Sequence, residues 1–229
     1  MTATLTGVSS MATRQILAEL GASYGQQNGR GIAMTSIGGV EAVRRISAGE
    51  AFDIVVLAES AMEKLEASGH LVSGSRTGFA RSSIAVAIRT GKDRPPLDDG
   101  EAVKQAVLKA RKISFSTGPS GDHLKRLFER WNIAEAISPR LVQAPPGVPV
   151  GALLARGEAD LGFQQLSELL DLPGIEILGL LPPDIQSETL FSAGICSRSS
   201  SPDEARSLIL YLTSPETGAA KRRHGLEPA

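Results

Sequence analysis

The chain has 229 residues, with 24 Lys and Arg against 25 Asp and Glu and a formal net charge of −1. That balance gives no electrostatic reason to expect nucleic acid or a membrane surface as partner. A hydrophobic fraction of 41% with 21% charged residues is that of a soluble globular protein with a substantial core, and 4% aromatics leave few platforms for stacking bases or sugars.

Taken in chain order, "ATLTGV" reads as a strand, and "SSMATRQILAELGASYGQQNG" as a helix with apolar residues at Met11, Ile16, Leu17 and Leu20, closing at Gly25. "IAMTSIGG" is a second strand, and "VEAVRRISAG" a short helix stopped at Gly49. "FDIVVLAE" is a continuous apolar run, the mark of a strand buried on both faces of a parallel sheet, and "SAMEKLEASG" is the helix after it. Three βα units in succession predict an α/β fold. "SSIAVAIR" then starts something new, "GKDRPPLDDGEA" is a loop, and "KISFS" and "LGFQQ" repeat the strand-loop-helix arrangement. "GIEILGLLPPDIQ" and "ETLFSAGIC" are further strands, and the end reads as two helices, one capped by Ser201 and one begun by Ser214-Pro215-Glu216. Without a flexible linker between them, two α/β lobes are expected to be joined by strands. Cys196 is the one cysteine, which excludes an internal disulfide and a CxxC metal site, and its apolar run makes it a core residue.

No run of about 18 apolar residues is present, so no transmembrane helix is expected. "MTATLTGVSS" has neither a basic n-region nor an apolar h-region. The expectation is a cytoplasmic protein as written, or a periplasmic one if the sequence is a trimmed mature form.

Three loops at strand-to-helix transitions are poor in bulky side chains: "TGVSSMATRQ" with Ser9 and Ser10, "SIGGVEAV" with Gly38 and Gly39, and "SFSTGPSGDHLKRLF" with Ser116, Thr117, Ser120 and Gly121. Each leaves a helix N-terminus uncovered, where orphan N–H groups and the helix dipole favour an anion. Each is equally the composition of an ordinary N-cap. Neither GxxxxGK[ST] nor GxGxxG opening a helix occurs, so nucleotide phosphates are not expected and no cofactor is called for. His123, in the first turn of its helix, is expected to be neutral because the positive helix end opposes imidazolium. It is either a base or donor to a carboxylate, or a solvated surface residue. Arg81 is either a carboxylate partner or a solvated strand-edge cation. Glu168 is either a general base or an exposed helix residue, and Glu59 has the same two readings. His70 and His224 sit near helix ends, and three dispersed histidines exclude a metal cluster.

Four segments carry a resemblance that spans most of the chain: "TLTGVSSMATRQILAEL", "AVRRISAGEAFDIVVLAE", "GEADLGF" and "ILYLTSPETGAAKRRHGLEP". Together they resemble the molybdate-binding proteins of ABC transporters and the wider type II periplasmic solute-binding family. The resemblance implies an α/β two-lobed clamp, each lobe a sheet flanked by helices, with the ligand in the interlobe cleft. Lobe one would be residues 1–79 plus 190–229, and lobe two residues 80–189. It implies a monomer that binds a small anion, with an ABC transporter permease as partner and no membrane insertion. Ser10 matches the family's first ligand hydroxyl, and Ser120 and Val150 match positions that donate backbone N–H groups. Where molybdate binders carry a second Ser this chain has Gly39, and where they carry a Tyr it has Gln165, beside Gln164. Leaving oxyanion oxygens unpaired costs several kcal/mol. The expected ligand is therefore larger than molybdate, a carboxylate held with the help of amide side chains. Two functions follow: capture of a small carboxylate or oxyanion, or, as in aconitate isomerases that resemble this family, movement of a proton that shifts a double bond in a tricarboxylate. In the second case Ser10 and Ser120 supply donors, and His123 or Glu168 the base.

Overall fold

This computed structural model describes residues 4–229. In chain order, β1 (Leu5–Ser10) leads through a single 3-10 turn into α1 (Arg14–Asn28), followed by β2 (Ile32–Ile37), α2 (Gly39–Ser47), β3 (Ile54–Ala58) and α3 (Glu59–Ala67). The long strand β4 (Thr77–Arg89) begins in the first compact unit, which ends at Ser82, and finishes in the second, Ser83–Glu188. That second unit continues with α4 (Gly100–Lys109), β5 (Ile113–Phe115), α5 (Pro119–Arg130), α6 (Ala134–Ile137), β6 (Leu141–Gln143), α7 (Val150–Ala155), β7 (Leu161–Gln165), α8 (Leu166–Leu169) and β8 (Ile175–Leu180). The chain re-enters the first unit on β9 (Glu188–Ile195) and ends with α9 (Pro202–Thr213), α10 (Gly218–Arg223) and β10 (Glu227–Pro228).

In the first unit the strand order is β2-β1-β3-β9-β4, with β10 beside the start of β4. β1 runs parallel to β2 and to β3, while β9 runs antiparallel to β3. The apolar run expected to be buried on both faces is buried on both: Ile54 and Val56 join the core with α1 and α9, and Val55 and Leu57 join the core with α2 and α3. Period-two alternation thus splits one continuous run between two cores. α1 does not close at Gly25 as the sequence suggested. It continues to Asn28 and stops at Gly29, whose φ of 65° is the left-handed conformation that ends helices. Gly25 is instead a point of close approach, where a Cβ would lie 2.8 Å from the Arg30 carbonyl oxygen.

In the second unit β5 lies between β6 and β7, parallel to both, and β4 is antiparallel to β7 and β8. The same alternation recurs on β4: Ile84, Val86 and Ile88 face the core with α4 and α5, and Ala85 and Ala87 face the core with α7. No helix among the described residues is long and apolar enough to cross a membrane.

Two charged groups in the first unit are deeply placed. Asp53, 5% exposed, is opposed by burial, yet its carboxyl is held below the usual range by the Thr6 N–H and hydroxyl and by Ser199. Those bonds tie the start of β3 to β1 and to the segment after β9. Lys221 on α10 is 1% exposed, its ammonium 4.7 Å from the Phe79 ring centre. Burial pushes its pKa from 10.5 down to about 8. In that interval the unfolded chain binds more protons than the folded one, so stability rises with pH from about 8 to 10.5, and below it the cost of the buried charge is present in full. Lys221→Met is expected to stabilise the protein at pH 7 by about 1 kcal/mol and to flatten that rise, as read by urea denaturation at pH 7, 9 and 10.

Candidate functional site

Parallel pairing gathers the candidate residues of each unit at the carboxyl ends of its strands, where ligands of α/β sheets are bound. In the first unit Ser9 pairs with Ser36 and Ser10 with Ile37. The two strands therefore end side by side, one entering the Ser10 turn and the other the Gly38–Gly39 turn. Ser10 Oγ caps the first turn, accepting the Ala12 N–H at 3.3 Å. Ser9 is fully buried and its hydroxyl lies 2.9 Å from that of Ser36, so it ties β1 to β2 below the rim. Gly38 caps α2 without a side chain, and a Cβ on Gly38 or Gly39 would meet nothing within 4 Å. Neither glycine is demanded by packing. The open space at Gly39 is the room that a Ser side chain would otherwise fill.

Arg81 stands apart from this cluster. It is exposed on β4 in register with Glu227, and no ion pair joins it to a carboxylate among the described residues. Glu59 is already engaged: it ion-pairs with Arg76, which also holds Glu66 at 2.8 Å, and it accepts the Ser192 hydroxyl. His224 lies 2.7 Å from Glu19, whose carboxyl is held below its usual range chiefly by that bond and also by Arg223. These groups fasten α1 to α10.

In the second unit Phe115 pairs with Phe163, so the chain leaves β5 at Ser116 beside the point where β7 reaches Gln164 and Gln165. Neighbouring strands lie about 4.8 Å apart, which brings the two turns together. Gly118 caps α5, Pro119 occupies its first turn, and the Ser116 and Ser120 hydroxyls are 2.9 Å apart. The first intrahelical bond runs from Asp122 N–H to the Gly118 carbonyl. Ser120 and Gly121 N–H groups find no acceptor among the described residues and remain available to an anion. Gly121 is obligatory for this turn, because a Cβ would lie 1.9 Å from the Ser116 carbonyl oxygen.

Val150, at the start of α7, is treated differently. Its N–H is donated to Gln164 Oε1 at 2.8 Å, within the protein, so a ligand reaching for it has a side-chain amide to displace. The same amide donates through Nε2 to Glu168 Oε1 at 2.9 Å. Gln164 and Gln165 are both 2% exposed, and Glu168 is half-buried. His123 is neutral, as the sequence suggested, but burial is the leading cause, with Arg126 and Arg130 adding to it. Its Nε2 lies 2.8 Å from the Ile185 carbonyl oxygen. A carbonyl only accepts, so Nε2 carries the proton and Nδ1 is the acceptor. Among the described residues no three His, Cys, Asp or Glu side chains gather as metal ligands.

Sequence reasoning found the loops but missed two features. The Ser116–Ser120 hydroxyl pair carried a signal in its four-residue spacing across a helix start. The Val150–Gln164–Glu168 chain had none, since Gln164 and Val150 meet only through the packing of α7 on β7.

The fold that holds these turns is the α/β fold of the type II periplasmic binding proteins. The periplasmic molybdate-binding protein of Azotobacter vinelandii superposes with a TM-score of 0.81 at 22% identity, covering 97% of this chain and 98% of that one. The substrate-binding domain of a putative molybdenum ABC transporter from Clostridium difficile does so at 0.75 and 15% identity, covering both chains completely. The model of the bacterial extracellular solute-binding protein family matches residues 5–227, and the chain belongs to that family. Among curated proteins it is similar to an aconitate isomerase from Pseudomonas sp., 41% identical over 185 residues, 80% of this chain and 70% of that protein. It is also similar to the molybdate-binding protein ModA of Azotobacter vinelandii, 25% identical over 186 residues, 79% of this chain and 73% of that one.

Gly121→Ala is expected to destabilise the second unit by about 2 kcal/mol or more, because the clash is with backbone. Gly39→Ala, with open space around it and a helical position to favour, is expected to leave thermal stability unchanged or raised. Thermal melts of the two variants beside the wild type test the contrast.

Proposed function

We propose that this chain binds a small tricarboxylate and isomerises it by proton transfer, as an enzyme of the aconitate isomerase type. The likeness that carries this reading is the 41% identity over 185 residues to the Pseudomonas aconitate isomerase, against 25% to a molybdate-binding protein over a span of similar length. The chemistry of the second unit supports it. Ser120 and Gly121 present unpaired N–H groups suited to a carboxylate, and Glu168, a carboxylate, stands on α8 just past the adjoining strand β7. Within the first unit, the Ser10 hydroxyl caps its own turn and Gly39 leaves space in place of a hydroxyl.

In the proposed reaction Glu168 takes a proton from the methylene carbon of the tricarboxylate. The C–H electron pair becomes the new double bond, and the electrons of the old one take up a proton at the far carbon of the three-carbon allylic unit, returned by the Glu168 carboxyl after exchange with solvent. Nothing is oxidised or reduced, and no cofactor is required. Backbone N–H groups stabilise the enolate-like charge that develops on the substrate carboxylate. Glu168 is taken as the base, and His123, which donates Nε2–H to the Ile185 carbonyl and keeps Nδ1 as an acceptor, is the alternative.

Proton NMR of trans-aconitate in D₂O with catalytic amounts of protein tests the reading. The expected result is the cis isomer with deuterium incorporated, lost in Glu168→Gln. An unchanged trans-aconitate spectrum overturns the isomerase and leaves capture of a small anion for a transporter permease, the commoner role in this family, as the function to pursue. Ligand class is tested separately by thermal shift. A tricarboxylate at 100 times its Kd is expected to add about 2.7 kcal/mol, a rise of several degrees, and molybdate at the same concentration none.

A further inference from the structure

Gln164 is oriented from both ends. Its Oε1 receives the Val150 N–H, a bond between buried groups of β7 and α7. A backbone N–H can only donate, so this contact decides which end of the carboxamide carries oxygen, and Nε2 is turned toward Glu168 Oε1. The strand holds the side chain in place: β7 lies between β4 and β5, with Gln164 opposite Ala85 and 2% exposed. Nε2 in turn can only donate, so the Glu168 oxygen facing it must accept. An ionised carboxylate meets that demand with either oxygen, whereas a protonated one meets it best through its carbonyl oxygen. A carboxylate oxygen that accepts one hydrogen bond still has lone pairs with which to take a proton.

From this geometry we infer that Gln164 is the positioning residue of Glu168, anchoring the base through a bond whose direction is fixed by the backbone of α7. The inference rests on the isomerase reading given above and on Glu168 as its base. It also accounts for a polar side chain in the interior of β7, where its neighbour Phe163 is fully buried. The amide serves both partners, as acceptor for one and donor for the other.

Gln164→Glu separates this role from simple capping of α7. The introduced carboxylate still accepts the Val150 N–H but has no donor for Glu168 and sets a like charge beside it. With trans-aconitate as substrate, kcat is expected to fall about tenfold or more with KM changed less than threefold, since a misdirected base weakens the transition state more than substrate binding. The acidic limb of the pH–rate profile is expected to move up by about one pH unit, and the Glu168 side-chain carboxyl, followed by ¹³C NMR, to titrate at correspondingly higher pH. Gln164→Asn keeps an amide but shortens it by one methylene, and is expected to lose rate in the same direction should the Glu variant not fold. An active wild type whose kcat and acidic limb survive the folded variant overturns the positioning role alone, as does a Glu168 titration that does not move. A wild type inert toward trans-aconitate overturns the isomerase reading and the catalytic role with it, whereas the NMR titration still reads the Gln164–Glu168 coupling.

Discussion

In a parallel pair the strands end side by side, so the helices that follow them begin side by side and their orphan N–H groups collect along one edge. Both units are built on that constraint. β1 with β2 and β3, and β5 with β6 and β7, bring their carboxyl ends into register, and whatever lies there must contend with several unsatisfied donors at once. The protein answers it in three ways. Ser10 caps its own turn, Gln164 reaches across to cap Val150, and the Ser120–Gly121 turn is left open.

The open turn is held by sterics. Gly121 lets the helix start approach the Ser116 carbonyl more closely than any side chain allows, and Pro119 sets the backbone one residue into the helix. Gly38 and Gly39 leave a helix start bare with no such compulsion. Space at one rim and an obligatory close approach at the other are thus different uses of the same residue type, and they look alike in the sequence.

Charge is distributed to suit this arrangement. The Arg76 cluster, the Glu19 pair and Asp53 all fasten elements within the first unit, and Cys196 is buried, its thiol pushed up to about 12 by burial and by Asp53, which removes it from nucleophilic chemistry. His123 is neutral and anchored to the Ile185 carbonyl. Glu168 is the carboxylate joined to the rim of the second unit through Gln164, which is why the proposed chemistry is assigned there.

The sequence by itself determined the α/β class, the first three βα units, the small-residue turns and the family, because these rest on local periodicity, turn chemistry and motifs read in order. The buried run of β3 was legible in the unbroken "IVVL" alone, since period-two alternation needs no partner to be inferred. Helix ends were less legible: Gly25 and Gly29 are equivalent as letters, and only the backbone conformation at Gly29 and the approach of Arg30 to Gly25 distinguish them. What tertiary structure alone decided is the state of the polar groups at the rim. Ser9 turns into the sheet toward Ser36, the Val150 N–H goes to an amide fourteen residues away, and that amide fixes Glu168. The physical reason is that hydrogen-bond partners are set by which strands and helices pack together, and no local pattern encodes a contact between residues that the chain brings side by side only when folded.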